Sequence, residues 1–332
     1  MSWKKNVRIF GIVDQKEDAL YLKWSASGIE FETCTERIEG EIWSECGILT
    51  ERAYIGVYVG KEREPLIYKQ KIRIDPGKKT YVFYENLRKE KLKVRLLKIT
   101  EEQYGNVGIV CMHDADQLYP TQVPEHKLLF IGDSITAGYG INGINNVRPF
   151  TTVDEDASKS YAYLTGEMLR AETGIVACSG NGIISRWIPS EQEFPDTNQI
   201  LPKIFPWKME YNPSLIVCNL GTNDASYIRQ ISTREQQFIE QYRQFIQKLQ
   251  EKFKETPILL TYGVMEKTMS RCVKNTAEIC NVFYQELPLQ DKEEDLGTDA
   301  HPGEVTHRKI SEILDIPVSY THLRAHETGA YL

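Results

Sequence analysis

The sequence predicts an antiparallel β-sandwich followed by an α/β domain built on a parallel sheet. Three observations carry this expectation. Up to about residue 120, short alternating runs recur with turn residues between them and no helical window. Pro120 and Pro124 then mark a linker. Beyond it, apolar strand-like runs alternate with helical periodicity, which implies right-handed crossovers and helices on both faces of one sheet. A chain of 332 residues exceeds what one hydrophobic core usually serves. The division is residues 1–120, residues 121–317, and a tail at 318–332.

In chain order, half-buried strands are expected at 28–34, 53–59, 71–74, 80–84 and 92–99. Gly60 to Pro65 and Asp75-Pro76-Gly77 supply turns between them. In the second region the strands fall at 127–131, 174–178, 215–220 and 258–262. The clearest helix follows Ser232-Thr233, where Phe238, Ile239, Tyr242, Phe245, Ile246, Leu249 and Phe253 share one face as a core stripe. Thr233 and Gln236 have the spacing of a capping box. A last helix is expected from Glu304 to Leu314, ending at Asp315-Ile316-Pro317. Residues 318–332 have no usable periodicity and read as a non-native or disordered tail.

A net charge of −7 without a basic stripe argues against nucleic acid as a partner. The first residues hold no long apolar run, so neither a signal peptide nor a membrane span is expected, and a cytoplasmic location follows. The seven cysteines are scattered without CxxC or Cys/His ligand spacing, which fits reduced thiols, no metal and no cofactor.

In parallel sheets ligands sit beyond the carboxyl ends of the strands, so the chemistry belongs in the loops that follow them. Those loops are Gly132-Asp133-Ser134, Ser179-Gly180-Asn181-Gly182 and Gly221-Thr222-Asn223-Asp224. Ser134 closes a buried strand at a tight turn, the position of a nucleophile or of an ordinary helix cap. Acyl transfer by serine needs a base, a group to orient it, and donors for the oxyanion. Of the histidines outside the tail, His113 lies in the β region, His126 at the opposite end of its strand and His307 in the last helix. His301 remains, in a loop on the same sheet edge as Ser134. Asp299 is its expected orienter if the segment is extended; if it is helical, a main-chain carbonyl takes that place. The Ser134 and Gly180 N–H groups and the Asn223 amide are the candidate oxyanion donors. Trp187 is either a sugar-stacking platform or packing under the loop, and Tyr139 and Tyr262 are weaker candidates for the same role.

Gly132-Asp133-Ser134, Gly180, Gly221-Thr222-Asn223-Asp224 and Asp299-Ala300-His301-Pro302 together resemble the four ordered blocks of the SGNH (GDSL-type) hydrolases. The whole chain most resembles carbohydrate esterase family two, which joins a jelly-roll domain to a flavodoxin-like three-layer α/β/α SGNH domain and removes acetyl groups from plant polysaccharides or oligosaccharides. By this resemblance Ser134 is the nucleophile, His301 the base, and Gly180 and Asn223 oxyanion donors. The Asp299-to-His301 spacing is one residue shorter than in the broad SGNH pattern but matches the narrower family, some of whose members use a Ser–His dyad. The implied function is a metal-independent serine esterase acting on acetylated xylan or glucomannan. A lipase or thioesterase for longer acyl chains, or a protein that mainly binds carbohydrate, are the alternatives.

Overall fold

The computed structural model describes residues 3–61 and 64–327, with side chains as far as Asp315. Strands β1 (Arg8–Phe10), β2 (Asp14–Gln15), β3 (Leu20–Leu22), β4 (Gly28–Thr33), β5 (Arg37–Ser44), β6 (Tyr54–Lys61), β7 (Ile67–Arg73), β8 (Gly77–Glu85), β9 (Leu92–Lys98), β10 (Val107–Met112) and β11 (Tyr119–Pro120) form two antiparallel sheets. One has the order β1-β4-β9-β6-β7, with β11 also on β4; the other has the order β2-β3-β10-β5-β8. Their facing residues form one core, with Ile29, Phe31, Val57 and Leu96 packed against Leu22, Ile42, Phe83 and Ile109. That is a sandwich.

Two of the strands absent from the sequence expectation explain themselves. In β5 the inward positions are Ile38, Gly40, Ile42 and Ser44, so small and polar residues mask the alternation. In β10 a bulge between Ile109 and Cys111 breaks the period of two.

Strands β12 (Lys127–Gly132), β13 (Glu172–Ala177), β14 (Leu215–Asn219), β15 (Ile258–Tyr262) and β16 (Phe283–Glu286) form the second domain's parallel sheet, in the order β13-β12-β14-β15-β16. The helices are α1 (Ser134–Ala137), α2 (Tyr161–Met168), α3 (Leu201–Ile204), α4 (Thr222–Ile228), α5 (Ser232–Lys252), α6 (Ser270–Cys280) and α7 (Glu304–Glu327). One face of the sheet packs on α5 and α6 through Phe238, Tyr242, Phe245 and Val273. The other packs on α2 and α7 through Tyr161, Ala162, Ile310 and Leu314. Chain order reverses at β12, between β13 and β14, and a crevice at such a switch point is where this class of sheet binds ligands.

Two local expectations are corrected. Helix α5 starts at Ser232 with Ile231 as its N-cap, and the N–H groups of Arg234 and Glu235 bond to the Ile231 carbonyl. Thr233 therefore already lies inside the helix, and no capping box forms. Helix α7 does not stop at Asp315 to Pro317 but continues to Glu327, so residues 318–327 are helical where a structureless tail was expected. Its buried first turns, with His307, Ile310 and Leu314 locked into the core, nucleate a helix that propagates past one missing N–H at Pro317. The rest of the expected tail, 328–332, lies outside the described residues.

The domains meet through charge as well as apolar contact. Arg8 on β1 pairs with Glu30 at 3.0 Å and with Glu172 at 3.5 Å, and Arg95 on β9 pairs with Glu30 at 2.5 Å and Glu167 at 2.7 Å. Burial opposes ionisation of Glu30, but the two guanidiniums hold its carboxyl down at about 2.

Candidate active site

The turn after β12 is shaped by its smallest residues. A Cβ on Gly132 would sit 2.0 Å from Thr136 Oγ1, so the strand enters α1 only with glycine there. Asp133 caps α1, its Oδ1 accepting from the Ile135 N–H at 3.1 Å. Ser134 is therefore the first residue of a one-turn helix, its side chain at the sheet's carboxyl edge. Burial pushes Asp133 up to about 7, opposed by the hydrogen bond from Ile135.

The histidine loop lies directly against this turn. The Thr298 N–H donates to the Gly140 carbonyl at 3.0 Å, and a Cβ on Gly297 would meet that same carbonyl oxygen at 2.2 Å. The segment Thr298–Ala300 is a tight 3-10 turn, with Asp299 at φ +54° and Ala300 at φ +57°. This brings His301 Nε2 to 2.8 Å from Ser134 Oγ.

The expected role of Asp299 is corrected by the same turn. With a left-handed backbone, its side chain swings away from the ring, and its Oδ2 accepts from the Tyr139 hydroxyl at 2.8 Å. The main-chain carbonyl of Asp299 faces His301 instead, 3.1 Å from Nδ1. A carbonyl only accepts, so Nδ1 carries the proton and Nε2 is left to accept from the Ser134 hydroxyl. Burial pushes the His301 pKa below its ordinary value, partly offset by the Asp299 carbonyl and carboxylate. At neutral pH the imidazole is thus an uncharged base.

Gly180, at φ +78°, follows β13 and also faces Ser134's cleft. Among the described residues the N–H groups of Ser134 and Gly180 meet no acceptor, so both are open to a ligand oxygen. Asn223 on α4 lines the same cleft, its Nδ2 at 2.9 Å from the Asn181 carbonyl and only weakly placed, at 3.4 Å, toward Asp133. Its neighbour Asp224 staples the whole loop: the N–H groups of Ile183, Ile184 and Ser185 reach its Oδ1 at 3.0, 2.7 and 3.1 Å. Burial raises Asp224 to about 6 against the pull of those bonds. The sequence alone marks no role for Asp224; its place at the start of a helix on the active edge is the available signal.

The cleft has a volume of about 870 Å³. Ser134, His301, Gly180, Asn223 and Trp187 all line it, as does Tyr104 from the end of the sandwich domain. The main-chain N–H of Trp187 donates to the Gly180 carbonyl at 2.8 Å, and its side chain is 59% exposed, so the indole is on the rim and not under the loop. Tyr262 is fully buried, whereas Tyr139 lines the cleft, stacked on Phe150 at 3.7 Å. Arg186 and Glu266 add one charge of each sign to the lining and were not anticipated. No group of three or more His, Cys, Asp or Glu among the described residues is arranged to hold a metal ion, and no helix there is long and apolar enough to cross a membrane.

A serine paired with a neutral histidine, in a cleft that Gly180 and Asn223 also line at the edge of a doubly wound sheet, defines a serine-hydrolase type of site. The model of the GDSL-like Lipase/Acylhydrolase family matches residues 130–309, more than half of the chain, and the chain belongs to that family. Among curated proteins it is 30% identical over 207 residues to a cellulase/esterase of Acetivibrio thermocellus, covering 57% of this chain and 25% of that protein. It is 28% identical over 211 residues to an acetylxylan esterase / glucomannan deacetylase of Cellvibrio japonicus, covering 58% of this chain and 56% of that one. The chain thus spans about a quarter of the first relative's length and about half of the second's. Its two-domain fold is that of a family two carbohydrate esterase from Clostridium thermocellum solved with cellohexaose, with TM-score 0.82, 24% identity, and coverage of 95% of this chain and 98% of that one. An acetyl xylan esterase from the rumen bacterium Butyrivibrio proteoclasticus shares the fold at TM-score 0.83 and 18% identity, with 95% of each chain covered.

Proposed function

We propose that this chain is a serine esterase that removes O-acetyl groups from plant-type oligosaccharides or polysaccharides, acetylated xylan and glucomannan above all, through an acetyl-enzyme intermediate. The observation that carries the reading is the 2.8 Å contact between Ser134 Oγ and His301 Nε2, with the imidazole held in the accepting tautomer. His301 takes the hydroxyl proton as Ser134 Oγ attacks the acetyl carbonyl carbon. The developing oxyanion is received by the Ser134 and Gly180 N–H groups and the Asn223 amide, and losing one such donor typically raises the barrier by ~2.7–4 kcal/mol. The protonated His301 returns its proton to the departing sugar oxygen, and a water molecule repeats the sequence to release acetate.

Carbohydrate as the leaving group is supported by the exposed Trp187 indole on the cleft rim, a flat apolar face suited to the C–H patches of a pyranose. The names of the relatives point the same way. The test is acetate release from a panel of acetylated xylo- and manno-oligosaccharides, with NMR locating the position lost. Release from these and not from long-chain aryl esters supports the proposal; a preference for octanoate over acetate overturns it in favour of a lipase or thioesterase.

A further inference from the structure

The sandwich domain reaches toward the site at one point that the serine, the base and the donors leave unused. Beyond β9 the chain turns through Thr100 and Glu101, both fully buried. The Glu101 carboxylate takes both donors of Ser179: the main-chain N–H at 2.5 Å on Oε2 and the hydroxyl on Oε1. Ser179 immediately precedes Gly180, so a carboxylate from one domain fixes the turn that aims an oxyanion donor in the other.

Glu101 is itself anchored on every side. Its N–H donates to Glu155 Oε1 at 2.8 Å, and its carbonyl accepts from Lys98 Nζ at 2.9 Å. The same ammonium reaches the carbonyls of Lys23 at 2.9 Å and Thr100 at 3.0 Å. Lys71 from β7 holds the Glu155 carbonyl at 2.6 Å. Burial of this set is unfavourable: it pushes Glu101 up to about 7, Glu155 well above the usual carboxylate range, and Lys98 down to about 8. A well-packed apolar cluster of the same volume is commonly as stable or more so. Stability therefore does not account for the carboxylate, whereas its two bonds beside Gly180 do.

We infer that Glu101 is a positioning residue of the oxyanion hole, and that the β-sandwich is in this way part of the catalytic apparatus and not a detachable binding module. The inference rests on the esterase reading above. With Glu101 holding both Ser179 groups, the Gly180 N–H is placed before substrate arrives; without it, the turn relaxes and the donor is misaimed while the cleft itself is unchanged.

The test is hydrolysis of 4-nitrophenyl acetate by the full chain and by Glu101→Ala, Glu101→Gln and Ser179→Ala, with melting temperature and phenylboronate affinity measured for each. Glu101→Ala is expected to lower kcat about 10²-fold, the usual consequence of a ~1 Å misplacement, with KM little changed. Phenylboronate, which mimics the tetrahedral state, should weaken in parallel. Glu101→Gln should recover most of the rate, because its amide oxygen accepts from the Ser179 N–H while its NH2 donates to Ser179 Oγ. Wild-type kcat in Glu101→Ala overturns the inference, as does a loss that tracks melting temperature in both Glu101 variants. If Glu101→Ala does not fold, Ser179→Ala decides: loss of one hydrogen bond should cost about fivefold in kcat, and an unchanged kcat overturns the proposal. A wild-type chain with no turnover refutes the esterase reading instead.

Discussion

Replacing Asp299 with asparagine separates two ways of holding His301. In a site where a carboxylate orients the base, the Asp→Asn change lowers kcat about 10⁴-fold, because the amide imposes the wrong tautomer. Here the partner of Nδ1 is the main-chain carbonyl of residue 299, which the substitution leaves in place. Asparagine also tolerates the backbone at φ +54°. Its side-chain oxygen can still accept from the Tyr139 hydroxyl, now as a neutral and not a charge-assisted bond. The difference between those bond types is ~1 kcal/mol, so kcat/KM for an aryl acetate should fall about fivefold at most. The acid limb adds a second readout. In the proposed reaction His301 works as the neutral base, and burial already holds its pKa below the ordinary value. Activity should thus persist below pH 6.5 and decline as pH falls through the lowered pKa. Asp299's negative charge raises that pKa, so removing it should move the limb to still lower pH. A 10³-fold or larger loss at every pH would show that the carboxylate itself orients the base, and would refute the dyad.

Other consequences can be read at sites away from the reacting atoms. His307 is fully buried, accepts from the Tyr161 N–H at 3.1 Å, and is pushed by burial down to about 3. The unfolded chain takes up that proton first, so stability falls as pH drops from about 6.5 toward 3, by ~1.4 kcal/mol per pH unit. His307→Asn keeps an acceptor for Tyr161 and removes the titration; in urea unfolding, its deficit relative to wild type should shrink by ~2 kcal/mol between pH 7 and pH 5, and parallel pH dependences would contradict this. Trp187→Ala should raise KM about tenfold on acetylated oligosaccharides, the upper range of one ring-stacking contact, while leaving KM for 4-nitrophenyl acetate unchanged. Equal effects on both substrates would make the indole a support for the Gly180 turn instead of a sugar platform.

What could be read in advance was what small residues and periodicity encode. The run from Leu128 to Gly140 announces a buried strand, a tight turn and a serine, and the glycines that permit the turn are part of the signal. The α5 stripe was equally clear, since Phe238, Tyr242, Phe245, Ile246 and Leu249 fall on one face and are all buried. Strand β16 was not legible: its residues Phe283 to Glu286 sit at a sheet edge, partly exposed, without the continuous apolar run of a central strand. Nor was the orientation of Asp299, because a left-handed turn at a non-glycine residue leaves no mark in composition. Glu101 was hidden for another reason. It belongs to the sandwich by sequence and to the active site only through contact across the domain boundary.

In the proposed reaction Ser134 carries the acetyl group during turnover. Rapid quenching of the chain with an acetylated xylo-oligosaccharide, followed by peptide mass mapping, tests it directly. An acetyl ester on the peptide containing Ser134, absent from Ser134→Ala together with acetate release, is the predicted result. Continued acetate release by Ser134→Ala, or turnover in wild type with the acetyl group on another residue, would contradict it.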